Sequence, residues 1–205
     1  MIASDLEGSR ERSLEDAELD LLFREARTYY KWLPKDVTDQ QLHRIYGLMK
    51  WGPTSANASP ARIVFLRTEE AKARLLPALA ALNVEKAKTA PVVAIIAYDV
   101  EFYENLPKLM PHVDAKAWFE GNADLINETA FRNSSLQGAY FMMAARAVGL
   151  DCGPMSGFDQ EKVNQEFFPS GKTKVNFIVN LGYGDKDGLW PRLPRLEFDE
   201  AATVL

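Results

Sequence analysis

The sequence WGPTSANASPAR covers Trp51–Arg62 and decides the fold, and it runs directly into the apolar residues Ile63–Leu66. It places two prolines, one glycine and four small polar side chains between an amphipathic helical segment and a β-rich segment. Prolines and short polar side chains restrict a loop, so its hydroxyls, its amide and its backbone N–H groups are held in fixed positions. A planar, polar cofactor needs fixed donors of this kind. The same residues could also form an ordinary connection between a helix and a strand.

The composition is typical of one globular domain. The chain has 205 residues, of which 47% are hydrophobic and 26% are charged, and this length supports one sizeable core. The net charge of −5 gives no basic surface for nucleic acid or for an anionic membrane, and the apolar runs are too short to span a bilayer. We therefore expect no nucleic-acid partner and no membrane partner.

The cysteine and histidine content indicates the compartment and argues against metal chemistry. Cys152 is the only cysteine, which excludes an internal disulfide and is typical of a reducing compartment. Two histidines and one cysteine provide no cluster of metal ligands. The first residues lack the basic and apolar segments of a secretory signal. These observations predict a cytoplasmic protein without a metal site.

Helix caps and apolar periodicity predict four helices. The first three begin at Ser13, Thr38 and Thr68 and end near Ala26, Gly52 and Pro77. A fourth, long helix runs from Ala123 to Val148 and is closed by Gly149. Its side chains are small or apolar around most of its circumference, which is typical of a helix in a core or in a subunit interface.

Three strands are predicted, at residues 62–67, 92–98 and 175–181, the second of them buried because of its β-branched residues. A turn at residues 182–184 follows the last strand. Residues 189–205 are then expected to be extended, with apolar side chains that could cover a partner subunit or fold back on their own domain. We find no repeat and no linker. The prediction is a flexible N-terminus at residues 1–12 and one α+β domain at residues 13–205, with a C-terminal dimer arm at about residues 185–205.

Nucleophilic catalysis and classical phosphate loops have little support. Cys152 has no histidine near it in sequence, and a buried structural thiol is the common case. No Gly-x-Ser-x-Gly, Walker or Gly-x-Gly-x-x-Gly pattern follows a strand. Residues 182–185 are glycine-rich but precede no convincing helix, so we interpret them as a turn.

Scattered polar residues form a more informative pattern, because they stand at the ends of the predicted elements. They are Arg27, Thr28, Thr54, Ser55, Asn57, Asn83, Lys86, Arg192 and the segment Pro154–Gly157. The set offers two guanidinium groups for a phosphate, hydroxyl and amide groups for a ring edge, one ammonium group, and a glycine loop that permits close approach. Each cation taken alone could equally be a solvated surface residue.

In this order the residues resemble the FMN-dependent nitroreductase superfamily over about residues 24–205. The family's Pro-Ser/Thr-Ser-x-Asn-x-x-Pro loop stands here as Pro53–Pro60, its Pro-x-x-Gly-Phe-Asp motif as Pro154–Asp159, and its C-terminal Arg-Leu-Pro as Arg192–Pro194. One element departs from the pattern. The N-terminal Arg-x-Ser-x-Arg/Lys element stands here as residues 26–30, and it has one basic group fewer.

The resemblance implies an α+β, nitroreductase-like fold with a central, mainly antiparallel sheet flanked by helices, and a homodimer with an extended C-terminal tail. It implies FMN as the cofactor and NADH or NADPH as the electron donor. The cofactor-binding residues carried over are Arg27, Thr28, Pro53, Thr54, Ser55, Asn57, Asn83, Lys86, Pro154, Met155, Ser156, Gly157 and Arg192. The sequence contains no acidic residue after a glycine-rich turn that would select between NADH and NADPH.

Catalytic roles follow from the same resemblance. Lys86 is expected to stabilise the negative charge of the reduced flavin, and Asn83 to bind the ring edge. The backbone N–H groups of Ser156 and Gly157 are expected to face the reacting part of the ring.

Three segments, at residues 50–57, 128–135 and 192–196, look most like the malonic semialdehyde reductases of pyrimidine catabolism, which form 3-hydroxypropionate. Such a substrate needs a cation for its carboxylate, and Arg132 or Arg62 could provide it, although an ion pair with Glu128 is an alternative role for Arg132. Two further hypotheses remain. One is a broad-specificity nitro or quinone reductase, and the other is a non-catalytic FMN-binding protein.

Overall fold

The computed structural model describes residues 13–205, so the flexible N-terminus expected at residues 1–12 lies outside the described residues. One sheet of four antiparallel strands is at the centre, in the order β1-β2-β4-β3. The strands are β1 (Ala61–Leu66), β2 (Val92–Asp99), β3 (Asp151–Met155) and β4 (Thr173–Gly182). The edges of the sheet are therefore β1 and β3.

Within residues 13–205, eight α-helical segments surround the sheet. They are α1 (Asp16–Leu19), α2 (Asp39–Met49), α3 (Glu69–Leu75), α4 (Ala81–Thr89), α5 (Leu106–Leu109), α6 (Ala123–Ala147), α7 (Gln160–Phe167) and α8 (Phe198–Ala201). The predicted capping box is confirmed, since Thr38 and Gln41 bond each other at the start of α2. The predicted start of α3 is also confirmed, because the Thr68 hydroxyl accepts from the N–H of Ala71 at 3.1 Å.

Two apolar cores cover the two faces of the sheet. One joins α2 and α6 to the sheet and includes Ile45 and Phe141, and the other joins α3, α4 and α7 to the opposite face and includes Leu75 and Ile178. Residues 92–97 of β2 are buried on both faces, which explains why that strand has a continuous apolar sequence. A third, smaller cluster forms around Phe102.

Helix α6 extends from one edge of the sheet to the other. Near its middle the Gln137 side chain accepts from the N–H of Ala61 in β1 at 2.8 Å, and Met142 further along contacts Cys152 in β3. The middle of α6 therefore supports the β1 edge, and its C-terminal part lies at the β3 edge. Within residues 13–205, no helix is both long and apolar enough to cross a membrane.

The first predicted helix is wrong in its extent. Within the predicted helix, only α1 (Asp16–Leu19) is α-helical, and its N-cap is Glu15 rather than Ser13. Residues 20–24 form a π-helical turn that ends the helix. The carbonyl groups of this turn are used by distant arginines: Arg146 donates to Leu22, and Arg192 donates to Arg24. These tertiary donors replace the N–H groups that a continuing helix would have supplied.

Strand β3 and helices α4 and α7 were not predicted. The sequence of β3 contains a glycine and a proline, which disfavour a strand interior. Pro154 is tolerated because β3 is an edge strand and because a proline lacks only the N–H donor. The residues expected in a loop at 154–157 are consequently divided between the strand and the loop that follows it.

The C-terminal residues are not extended throughout. Glu197 and Glu200 form a capping box that begins the single turn of α8. The apolar side chains before α8 remain largely exposed, with Trp190 at 73% and Leu193 at 74%. Within this chain, the tail therefore buries little of its apolar surface.

Candidate functional site

The structure divides the predicted site residues into two groups at opposite edges of the sheet. The β3-edge group consists of Arg27, Thr28, Asn83, Lys86, Pro154, Met155, Ser156, Gly157 and Arg192. The β1-edge group consists of Pro53, Thr54, Ser55, Asn57, Arg62 and Arg132. Strands β1 and β3 are separated by β2 and β4, which places the two edges roughly 14 Å apart at the usual spacing between strands.

The β3-edge group is positioned by a short chain segment that runs beside β3. The N–H of Tyr29 donates to the carbonyl of Cys152 at 3.1 Å, and Thr28 forms an isolated bridge with the same residue. Gly153 permits this approach, since a Cβ there would lie 2.5 Å from the Tyr29 carbonyl oxygen. Arg27 and Thr28 are thereby fixed next to the sheet edge.

Helix α4 brings Asn83 and Lys86 together and connects them to the loop after β3. The Lys86 Nζ donates to Asn83 Oδ1 at 3.2 Å, and the Asn83 Nδ2 donates to the Gly157 carbonyl at 3.0 Å. The ammonium also lies 4.5 Å from the centre of the Tyr30 ring. Since Asn83 and Lys86 are three positions apart on a helix, they share one face. This chain of hydrogen bonds fixes the ammonium group.

The loop after β3 presents two backbone donors. Ser156 and Gly157 are exposed, and within residues 13–205 neither N–H group has a hydrogen-bond acceptor. A Cβ at position 157 would lie 2.7 Å from Asn83 Nδ2, so a side chain there would displace the Asn83 amide. The arrangement offers two adjacent N–H groups beside a fixed amide and a fixed ammonium group.

Four arginines line one cavity of about 450 Å³ at the β3 edge, which we call the arginine cavity. Its lining residues are Phe23, Ala26, Arg27, Thr28, Tyr30, Arg146, Trp190, Pro191, Arg192, Leu193 and Arg195. None of the four arginines has a carboxylate of the described residues within 4 Å. Such a concentration of positive charge fits an anion of the size of a phosphate group.

A second cavity of about 660 Å³ adjoins the arginine cavity and contains Lys86; we call it the lysine cavity. The two cavities share Tyr30, Trp190, Pro191 and Leu193 as walls. Together they form an elongated site with guanidinium groups at one end and an ammonium group at the other. A ligand with a phosphate at one end and a planar polar ring at the other matches this distribution of charge.

The basic group that the N-terminal element lacks over residues 26–30 stands one position further on, as Lys31. A register that begins at Arg27 would place Tyr29 at the Ser position of the Arg-x-Ser-x-Arg/Lys pattern, so the expected loss of one basic group from this element stays a prediction. The Lys31 side chain packs on Gly188, where a Cβ would lie 2.8 Å from Lys31 Cγ. Lys31 does not line the arginine cavity.

The β1-edge loop is rigid, and much of its polar character is used to maintain its shape. The Thr54 Oγ1 accepts from the N–H of Ser59 at 3.1 Å, and the Asn57 amide donates to the Leu109 carbonyl at 2.8 Å. Asn133 of α6 accepts from the N–H of Ser55 at 2.8 Å. Asn57 has a positive φ of 51°, a conformation that costs energy unless the surroundings enforce it. Pro53 and Ser55 remain exposed in this loop.

The two substrate candidates at the β1 edge are both paired with carboxylates. Arg62 donates to Asp99 at 2.5 Å and to the carbonyls of Ser59 and Ala61. Arg132 pairs with Glu128 one helical turn away, which was the alternative role considered for it. Arg132 is the more accessible, since 64% of its side chain is exposed.

The titratable groups next to β3 are altered mainly by burial. Burial raises the pKa of the Cys152 thiol to about 12, so this thiol is neutral and is not a nucleophile near neutral pH. Desolvation also raises the pKa of the Asp151 carboxyl, while the hydrogen bond from Gly184 opposes that shift. Residues 13–205 contain no group of three or more potential metal ligands.

Sequence reasoning missed several lining residues: Tyr30, Arg146, Trp190 and Arg195. Trp190 stands two positions before Arg192, so an extension of the C-terminal motif would have included it. Arg146 belongs to the last turn of α6, and no local signal in the sequence connects it with Arg27.

Comparisons with known proteins identify the family. Residues 23–183 match the model of the "Nitroreductase family". The chain is 59% identical over 192 residues to a protein of Polynucleobacter asymbioticus named "Putative NADH dehydrogenase/NAD(P)H nitroreductase", with 94% of this chain and 98% of that protein covered. The chain therefore belongs to the nitroreductase family.

Solved structures show the same fold. A "putative nitroreductase ydfN" from Bacillus subtilis aligns with a TM-score of 0.85 at 22% identity, covering 93% of this chain and 100% of that one. A "putative nitroreductase in complex with FMN" from Exiguobacterium sibiricum aligns with a TM-score of 0.82 at 19% identity, covering 95% and 99%. The expected nitroreductase-like fold is confirmed.

Proposed function

We propose that this member of the nitroreductase family is an oxidoreductase that binds FMN and takes its electrons from NADH or NADPH. The observation that carries the proposal is the site at the β3 edge, where the arginine cavity and the lysine cavity share four lining residues. Relatives that are 56–59% identical to this chain are named "Putative NADH dehydrogenase/NAD(P)H nitroreductase". These names support the same assignment.

The residues of the β3 edge fit FMN. Arg27 and Arg192 would hold the phosphate, because each retains guanidinium N–H groups beyond those bonded to backbone carbonyls. Asn83, Lys86 and the two free N–H groups at residues 156–157 would hold the polar edge of the ring. A monophosphate needs no adenylate subsite, and no adenylate-binding motif is present in the sequence.

A bound FMN would supply hydride transfer between the nicotinamide and the second substrate. The protein would fix the position of the flavin and place charged groups next to it. Lys86 places a positive charge where negative charge develops on reduction, and Asn83 prevents the ammonium from moving away. Tyr30 and Trp190 provide apolar walls of the lysine cavity.

We further propose that two copies of the chain complete each site. The β1-edge loop lies at the edge of the sheet opposite the β3-edge group, and in our proposal a partner contributes Pro53–Asn57. Large apolar side chains remain exposed on α6, at Phe131, Leu136 and Tyr140, and in the arm at residues 185–205. Surfaces of this kind on a small protein are typical of subunit interfaces.

For the substrate we propose malonic semialdehyde, which would be reduced to 3-hydroxypropionate in pyrimidine catabolism. The support is the resemblance at residues 50–57, 128–135 and 192–196, and the need of the substrate's carboxylate for a cation. Arg132 suits this role better than Arg62, since an exposed pair with Glu128 is weak and can exchange its partner. Arg62 is bound by three acceptors.

A broad-specificity nitro or quinone reductase is the second candidate. The relatives' names favour it, and so does the pairing of both substrate arginines with carboxylates. Such a reductase needs only an accessible flavin face and no cation for the substrate.

Steady-state kinetics with NADH and with NADPH test these proposals. If malonic semialdehyde is the substrate, its kcat/KM should be well above the values for a nitroaromatic compound and for a quinone. The opposite order would assign the protein to the second candidate. If purified protein loaded with FMN turns over none of these acceptors, it is a non-catalytic flavin-binding protein, and the oxidoreductase proposal is wrong.

A further inference from the structure

We propose that Arg146, at the C-terminal end of α6, is a third guanidinium group that binds the FMN phosphate, beside Arg27 and Arg192. The inference rests on the proposed FMN site. It adds a residue that the resemblance to the family does not supply. Arg27 follows the π-helical turn and Arg192 lies in the C-terminal tail, whereas Arg146 extends the phosphate site to α6.

The distribution of ion pairs supports this assignment. Of the ten arginines within residues 13–205, five pair with a carboxylate within 4 Å: Arg24, Arg62, Arg67, Arg74 and Arg132. Four of the other five line the arginine cavity, and only Arg44 lies elsewhere. Because arginines are readily paired with carboxylates on an acidic protein, four that have no such partner and share one cavity indicate a site for an external anion.

Arg146 is held in a position to bind such an anion. Its Nη1 donates to the Leu22 carbonyl at 3.0 Å and contacts the Met143 sulfur at 3.8 Å. A guanidinium group has five N–H donors, and among the described residues its Nη2 and Nε have no acceptor. The half-buried side chain therefore has one side anchored and the other open to the cavity.

The charges around Arg146 do not neutralise it. Asp151 at the start of β3 is the carboxylate that interacts with it electrostatically, but the two are not within the 4 Å of an ion pair. The Asp151 side chain instead accepts from the N–H of Gly184 at 2.8 Å.

The rigidity of α6 gives Arg146 a role that Arg192 cannot have. Arg192 belongs to the exposed tail, and Arg27 follows the π-helical turn, whereas Arg146 is carried by a helix of 25 residues that packs on the sheet. A phosphate bound to all three would connect the tail to the core of the protein.

Binding of FMN and of riboflavin to the apoprotein tests the inference, because the two flavins differ only in the phosphate. Removal of a charge-assisted hydrogen bond predicts that Arg146→Gln raises the Kd of FMN about tenfold and leaves the Kd of riboflavin unchanged. Arg146→Lys should recover part of the loss. Arg44→Gln, which removes the same charge away from the cavity, should change neither Kd.

Two outcomes would overturn the inference. An equal weakening of FMN and riboflavin by Arg146→Gln would show that Arg146 only supports the π-helical turn through Leu22. An unchanged preference for FMN would show that Arg146 does not contact the phosphate. The proposed function fails separately, if the wild-type apoprotein itself does not prefer FMN to riboflavin.

Discussion

Arg27 and Arg192 each donate a hydrogen bond to the backbone of the segment that carries the other. Arg27 donates to the carbonyl of Trp190, and Arg192 donates to the carbonyls of Arg24 and Ala26 at 2.7 and 3.0 Å. These reciprocal hydrogen bonds connect the C-terminal tail to residues 24–27. Both guanidinium groups line the same cavity. Residues 165 positions apart in the sequence thereby line a single cavity.

Arg192→Ala should weaken the binding of oxidised and reduced FMN to the same extent. The phosphate has the same charge in both states, so the loss of one charge-assisted bond raises both Kd values about ten- to one-hundred-fold. Flavin release from each redox state, measured by fluorescence and by anaerobic ultrafiltration, checks this. Arg74→Ala is the control, since Arg74 pairs with Glu166 away from the cavity. A loss confined to the reduced state would place Arg192 at the ring rather than at the phosphate.

Lys86→Met should slow the reduction of the flavin more than it weakens the retention of FMN. The ammonium opposes negative charge that appears only on reduction, so its removal is expected to lower the rate by about one to two decades. Stopped-flow reduction by NADH or NADPH measures the rate. Lys88→Met, an exposed lysine on the same helix, is the matched control. Reduction of Lys86→Met at the wild-type rate would contradict the placement of this ammonium at the ring.

Gly157→Ala should destabilise the loop after β3 and reduce the affinity for FMN. The new methyl group would lie 2.7 Å from Asn83 Nδ2, so the Asn83 amide must shift and lose its hydrogen bond to the Gly157 carbonyl, at a cost of about 0.5–1.5 kcal/mol. Gly47→Ala on α2 is the control, because no atom lies within 4 Å of its Cβ and alanine favours a helix. Denaturant unfolding and FMN titration compare the two. Equal behaviour of both variants would show that the loop does not need its glycine.

Mixed dimers should restore a flavin site that neither variant has alone. Arg192→Glu damages the β3-edge group, and Ser55→Tyr obstructs the β1-edge loop. If each site takes one group from each chain, a heterodimer of the two variants has one intact site and one site with both changes. We expect differently tagged chains, purified as heterodimers, to retain about one FMN per two chains. Retention no higher than in either homodimer would show that one chain builds the site by itself.

Cys152 should resist alkylation in the folded protein until strongly alkaline pH. Its pKa is raised to about 12 in the folded state, above the ordinary value of about 8.5, so the neutral thiol stabilises the fold below pH 8.5. That contribution is lost progressively as the pH rises from 8.5 toward 12. Iodoacetamide labelling at pH 9, with and without denaturant, checks the first point. Fast labelling of the native protein at pH 9 would contradict the raised pKa.

Unfolding measured at pH 8 and pH 10 checks the second point. The wild type should lose more stability over this range than Cys152→Ala, in which no thiol titrates.

The sequence predicted the elements whose signals are local. The capping box at Thr38, the apolar run of β2 and the length of α6 depend on neighbouring residues, and the structure has them within one or two positions of the predicted bounds. The rigid loop at Pro53–Asn57 was also predictable, because prolines and short polar side chains act within the loop itself.

Tertiary structure alone determined the edge strand β3, the π-helical turn and the four-arginine cavity. β3 has weak intrinsic propensity and forms because β4 and the backbone of Tyr29 supply its hydrogen-bond partners. The turn at residues 20–24 ends a helix because arginines from α6 and from the tail take its carbonyls. The same contacts bring Arg146 and Arg192 to Arg27. Contacts between residues more than 100 positions apart leave no periodic signal in the sequence, so only the packing of α6 and the tail against the first turn could place these charges together.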